Sequence, residues 1–306
     1  MNRLILASST SNTHKTYRTG WRAFCSFKHN GFVENSPASP EDVRHFIAWL
    51  SLQGLAPSTI ATYVAGVGYH HKIRSWPDPT HDFLVTKLLA GCRRDNSGSD
   101  TRWPMTVPVL ARTVQALTHI CNDHYEVTLF RAVMLSAFFG FMRIGEFAAI
   151  SKTHIQNSLL LSSDVQFQDL GEANASVLIS FRHAKNNPTG PPQVVRLVRS
   201  ADESICPVQA LSVFAQIRPK VPGSFFCHFG GEALTQYQFN ATLKKVLLFL
   251  GLEESPFRAH SFRIGAASTA AALGIPLGEI KEMGRWRSEA AQLYIRPLIQ
   301  CKLPGV

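Results

Sequence analysis

The chain has 306 residues, 45% of them hydrophobic and 17% charged, which is enough apolar content to close two cores and excludes a disordered polymer. Its formal charge of +10 and pI near 9.5 favour polyanionic partners, nucleic acid first; the excess is shared, with 12 basic and 7 acidic side chains in residues 1–103 and 19 and 14 in residues 104–306. There is no long apolar span or cleavable basic leader, so no membrane role is expected, and six cysteines without a C-x-x-C pair point to reduced thiols rather than a disulfide framework or structural zinc.

The first hundred residues read as a helical bundle. Residues 13–30 put Tyr17, Trp21 and Phe24 on one helical face and Lys15, Arg18 and Arg22 on another. Pro40-Glu41-Asp42 opens a second helix that turns Val43, Phe46, Ile47 and Leu50 inward and stops near Gly54. Pro57 opens a third, running to Ile73, and a fourth is expected over residues 81–90, ending before Gly91. Residues 93–104, RRDNSGSDTRWP, are polar and turn-rich with no apolar period and read as a linker, which sets domains at 1–92 and 105–306.

In the second part, helices are expected at 107–118 and 126–139, stopping at Gly140. Short β-branched runs at 158–161, 165–167, 176–181 and 193–198 make a small sheet. The segment NNPTGPP between the last two is strong turn chemistry, so Lys185 sits on a hairpin shoulder. Helices resume over 207–216, 235–250, 260–273, 276–283 and 288–295. The fold class is therefore mainly α with a small antiparallel sheet.

Chemistry concentrates near the C-terminus. In AHSFRIG, His260 and Arg263 are three apart and share one face of the first turn of a helix, whose N-terminus is electropositive, so a phosphate fits there. Trp286, in GRW, follows Arg263 by 23 residues, and Tyr294 comes eight later. Taken singly, each has an ordinary reading: Tyr294 a half-buried helix tyrosine, Trp286 a core anchor, Lys185 a solvated turn lysine, Arg143 a cation near a helix end. H-x-x-R alone carries little, since His71 and Arg74 form a second instance. Order and number carry the weight.

HSFR, GRW and the tyrosine together resemble the C-terminal signature of the tyrosine recombinases, the phage-integrase-like site-specific recombinases. FGFMRIGE, with Arg143 and Glu146, looks like that family's first catalytic arginine box, and FRHAKNNPTGPPQVVRL places Lys185 where the family carries a hairpin lysine. The wording GRWRSEAAQLYIRP is closest to the recombinases of eukaryotic DIRS-like retrotransposons and Cryptons, and Trp286 stands where most bacterial members carry His.

The resemblance implies a helical, SAM-like N-terminal core-DNA-binding domain followed by an α+β catalytic domain. It implies transesterification on double-stranded DNA, in which Tyr294 attacks a phosphodiester and forms a 3′-phosphotyrosine without nucleotide or metal cofactor. Arg143 and Arg263 would stabilise the phosphate's extra charge, for which a guanidinium fork is suited and a lysine is not. His260 is suited either to accept the phenol proton or to donate to a phosphate oxygen. Trp286, with a single N–H and no proton to transfer, would donate to the phosphate and pack against the tyrosine helix. Lys185 would protonate the leaving 5′-oxygen, and Glu146 would support the arginine box.

Lys15, Arg18, Arg22, Arg285 and Arg287 are candidate DNA contacts, although a basic helix face is as often simply solvated. Exchange between duplexes implies a homotetramer on DNA, and the eukaryotic-element likeness a nuclear location. The competing readings are a DNA-binding or transcription-regulating protein whose cleavage is silent, and a type IB topoisomerase, against which the N-terminal helices argue.

Overall fold

Ser39 shows how locally the first unit is specified. Its hydroxyl accepts from the Asp42 N–H (3.1 Å) while Asp42 accepts from the Ser39 N–H (2.9 Å), and Pro40 occupies the first helical position that this box opens. The computed structural model describes residues 8–9, 11–28, 36–95, 101–182, 190–252 and 256–298. It divides into two compact units, 1–100 and 101–306.

In the first unit, helices α1 (Ser11–Phe27), α2 (Pro40–Leu52), α3 (Pro57–Ile73) and α4 (Phe83–Asp95) close a core of Trp21, Phe24, Val43, Phe46, Ile47, Leu50, Ile60, Val64, Val67 and Val85. Lys15, Arg18 and Arg22 lie on the exposed side of α1. The fourth helix starts later than expected and does not stop before Gly91. That glycine is exposed with open space around it, so nothing breaks the helix there, and it continues to Arg93 and Arg94, whose charges suit a C-terminus. Of the expected 93–104 linker, Arg93–Asp95 thus close α4, and the Trp103 N–H donates to the Pro256 carbonyl (2.8 Å) in the second unit.

The core of this unit contains a fully buried histidine. His71 accepts the Ala38 N–H at Nε2 (3.1 Å) and donates from Nδ1 to the Pro77 carbonyl (2.6 Å), tying the chain before α2 to the chain after α3. Its neighbour His70 stacks on Trp21 (4.9 Å, 14°) and accepts from the Arg74 guanidinium (2.9 Å). Burial, then the adjacent charges of Arg74 and His71, push the His70 imidazole down from 6.5 to about 4. Above pH 6.5 both folded and unfolded chains hold it neutral. Below that the unfolded chain takes a proton that the folded one refuses until about pH 4, so stability falls across this window. Chemical denaturation of the first unit between pH 7 and 4 is expected to show that decline, and His70→Gln to flatten it.

The second unit is built around two helices buried on nearly every side. These are α6 (His124–Phe139), buried without a break from Ala132 to Phe138 with Ser136 its one polar residue there, and α10 (Ala259–Ala272), lined with Gly265, Ala266, Ala267 and Ala270. A helix apolar all round belongs in the middle of a unit. Around these two lie α5 (Val107–Ile120), the one-turn α7 (Ile144–Phe147), α8 (Pro207–Ile217), α9 (Gln236–Phe249) and α11 (Leu277–Met283).

Strands β1 (Val165–Gln168), β2 (Ser176–Phe181) and β3 (Gln193–Val198) form an antiparallel sheet in that order, with Val165 opposite Ile179 and Ile179 opposite Val195. The expected strand at 158–161 is not one: Leu161 makes an isolated bridge with Ser224 instead. The last element is a 3-10 helix, Glu289–Tyr294, where an α-helix over 288–295 was expected; Ser288 caps it by accepting the Ala290 N–H (3.3 Å). Among the described residues, no helix is long and apolar enough to cross a membrane.

Candidate active site

Arg263 sits at the fifth position of α10 and is fully buried. A buried guanidinium must be met by acceptors, and two backbone carbonyls supply them: Nη1 donates to Phe141 and Nη2 to Gly284. Its Nε–H has no hydrogen-bond partner among the described residues. The guanidinium lies 4.1 Å from the Trp286 ring centre and 5.5 Å from that of Tyr294. Burial first, then the charges of Arg143 and Arg285, push this group down from 12.5 to about 9. Glu146 and Tyr294 act in the other direction, so the neighbouring charges only partly offset one another.

The start of α10 is fixed from both sides. Ser261 Oγ accepts the Arg258 N–H (3.0 Å), and the Ser261 carbonyl accepts the Met105 N–H (2.9 Å). Gly265 permits this approach, because a Cβ there would overlap the Met105 backbone.

The second segment is the turn after α6. Gly140 ends the helix, Phe141 takes a left-handed conformation (φ 48), and Arg143 returns to the extended region as the residue before α7. Glu146 closes the turn: its carboxylate accepts the Arg143 N–H (2.8 Å) and Arg143 Nη1 (3.1 Å). Glu146 is itself buried, and its second cationic partner comes from the far end of the unit, Arg285 Nη2 at 2.7 Å. Glu146→Gln removes the only carboxylate among these partners and leaves Arg285 buried and unpaired. A loss of ~3–5 kcal/mol from the second unit is expected, read as a fall in its thermal midpoint.

The third segment carries Trp286 and Tyr294. Gly284 accepts the Arg263 hydrogen bond on its carbonyl and makes room for the indole, since a Cβ there would overlap the Trp286 ring. The Tyr294 ring lies 4.8 Å from Trp286 and 5.0 Å from His260, centre to centre. Ser268 on α10 holds this segment by its hydroxyl, which donates to the Tyr294 carbonyl (3.1 Å) and accepts the Arg296 N–H (2.9 Å).

His260, Arg263, Trp286 and Tyr294 thus lie together, with Arg143 joined to them through Glu146 and the Phe141 turn. Lys185 lies outside the described residues. Arg287 is exposed beside the site, and Lys15, Arg18 and Arg22 belong to the first unit. Arg285, expected to contact DNA, is instead buried. Its guanidinium is held by the carbonyls of Gly140 (3.0 Å) and Phe141 (3.4 Å) and by Glu146, with no face left to solvent. Sequence reading missed Ser268, whose hydroxyl in an alanine-rich helix gave no signal, and the Phe141 carbonyl, which no side-chain pattern reports. Among the described residues, no group of three or more His, Cys, Asp or Glu is placed to hold a metal ion.

No family model matches the chain. It is 24% identical over 296 residues to an integrase/recombinase XerD homolog of Selenomonas ruminantium, covering 94% of this chain and 82% of that protein. It is 22% identical over 297 residues to recombinase Cre of Escherichia phage P1, covering 91% and 81%. Among solved structures, XerH site-specific recombinase bound to difH substrate aligns with a TM-score of 0.64 at 16% identity over 92% of this chain and 75% of that one. A lambda integrase dimer bound to a COC′ core site gives 0.62 at 15% identity, over 95% and 74%. The chain shares its fold, mainly helical with a small three-stranded antiparallel sheet, with these recombinase structures. The sequence likeness, to these two curated recombinases, runs over more than nine tenths of this chain.

Proposed function

We propose that this protein is a site-specific DNA strand transferase in which Tyr294 is the nucleophile. The observation that carries the reading is the surround of the Tyr294 ring: the Arg263 guanidinium, His260 and Trp286 all lie within 5.5 Å. A phenol is a poor nucleophile at neutral pH until cations stabilise the phenolate, and two of these neighbours are cationic or can become so. Tyr294 Oη gives up its proton, for which His260 is our candidate acceptor, and attacks phosphorus; the P–O5′ bond breaks, and the 5′-hydroxyl leaves with a proton for which Lys185 is our candidate donor. The reverse attack by a 5′-hydroxyl on the phosphotyrosine rejoins a strand and restores the phenol, so bond energy is conserved.

Arg143 and Arg263 bind the nonbridging oxygens, with the unpartnered Nε–H of Arg263 a donor already dehydrated for that purpose. Lys15, Arg18, Arg22 and Arg287 are proposed phosphate contacts on the DNA. Exchange between duplexes calls for four protomers. We read GRWRSEAAQLYIRP as that of a eukaryotic mobile element of the DIRS-like or Crypton kind, working in the nucleus. The domain division we propose is 1–92 for DNA binding and 105–306 for catalysis.

A second reading, DNA binding with cleavage silent, is favoured by one observation: both terminal nitrogens of Arg263 are taken by carbonyls. Suicide-substrate trapping separates the two. Nicked duplexes from the termini of the protein's own element are incubated with it without added metal, denatured, and examined for a covalent DNA adduct. An adduct supports strand transfer; tight, salt-sensitive binding without one supports the silent reading.

A further inference from the structure

Arg285 is a buried cation that the mechanism above leaves unused. It occupies a left-handed conformation (φ 57), a region that is unfavourable for a residue with a β-carbon and that glycine enters freely. The chain nonetheless places there a long charged side chain and buries it. Groups from two stretches hold it: the Gly140 and Phe141 carbonyls and the Glu146 carboxylate of the arginine-box segment, and the ring of Phe181, whose centre lies 3.8 Å from its guanidinium. Phe181 is the last residue of β2, four positions before Lys185. Arg285 is also the residue immediately before Trp286, and the Phe141 carbonyl that it touches is the one that receives Arg263.

On the reading of the site as a strand transferase, we propose that Arg285 is a positioning residue. It locks the turn bearing Arg143, the end of β2 at Phe181 and the turn bearing Trp286 into one register, through a planar fork that no other side chain reproduces. Glu146 is the shared member: the carboxylate that orients Arg143 is oriented in turn by Arg285, so loss of the Arg285 fork frees Arg143 to swing although Arg143 itself is unchanged. Arg285 touches neither DNA nor Tyr294 in this scheme.

The test uses the full chain and single-turnover adduct formation on a nicked duplex that the wild type cleaves. Arg285→Gly suits the backbone, so a residue that serves only the turn would be replaced without loss. Positioning predicts instead that DNA affinity stays within about twofold while the adduct rate at saturating DNA falls ~100-fold, the scale of a small misplacement of reacting groups. Millimolar guanidinium, entering the space left by the side chain, is expected to restore part of that rate. A wild-type rate in a folded Arg285→Gly variant overturns the proposal, as does an equal loss in affinity and rate. Should that variant melt below the assay temperature, Arg285→Lys replaces it. An ammonium cannot span the carbonyls and Glu146 together, so a rate about tenfold lower is expected, and an unchanged rate overturns the idea. Failure of the wild type to form any adduct would instead strike the strand-transfer reading itself.

Discussion

Tyr294→Phe is expected to bind the same duplexes as the wild type and to form no covalent adduct with them. The substitution keeps the ring that packs against Trp286 and His260 and the backbone carbonyl that Ser268 holds, so the segment should stay in place. Only the hydroxyl is lost, and with it the atom that would enter the phosphodiester. Of the neighbouring groups, Arg263 and Trp286 are donors without a lone pair to give, which leaves the His260 imidazole as the competing nucleophile among these three. Denaturing electrophoresis of labelled nicked duplex reads the result directly. A retained adduct of unchanged yield would show that another residue carries the bond and that the role given to Tyr294 is wrong.

Arg263→Lys should come next in size. Its guanidinium donates in two directions at once, to the carbonyls of Phe141 and Gly284, while keeping an Nε–H without a partner and a face against Trp286. A lysine ammonium has the charge but not the plane or the spread, so it must abandon at least one carbonyl or the phosphate. Removing one preorganised donor from a developing oxyanion costs ~10²–10³-fold in rate, and that is the expected loss in adduct formation. Charge being retained, the salt dependence of DNA binding should hardly move. A rate within a fewfold of wild type would mean that Arg263 serves the fold rather than the phosphate.

Helices with a strong local start were legible in the sequence. Pro40 and Pro57 mark real first turns, the helix expected from 107 starts there, and β2 and β3 begin and end where β-branched runs do. Gly91 misled because an exposed glycine weakens a helix without ending it. The tyrosine segment misled because its period fits α and 3-10 geometry alike over six residues.

In the site, the spacing of His260, Arg263, Trp286 and Tyr294 pointed to a group that does come together. Arg285 could not be placed this way. Basic residues flanking a candidate phosphate site look alike in sequence, and what separates Arg285 from Arg287 is a left-handed φ and a carboxylate 139 residues away. Long-range pairing of that kind leaves no periodic trace.

The same separations bear on when the protein becomes able to act. Arg263 reaches across 122 residues to Phe141, and Arg285 across 139 to Glu146. During synthesis the arginine-box turn leaves the ribosome with neither partner, while α1 to α4 need only contacts within the first hundred residues. Contacts between distant positions form last in folding. A nascent chain can therefore hold a finished first unit well before it holds Tyr294 among its cations, and on the proposed reading a messenger or polypeptide cut short upstream of Trp286 lacks the nucleophile.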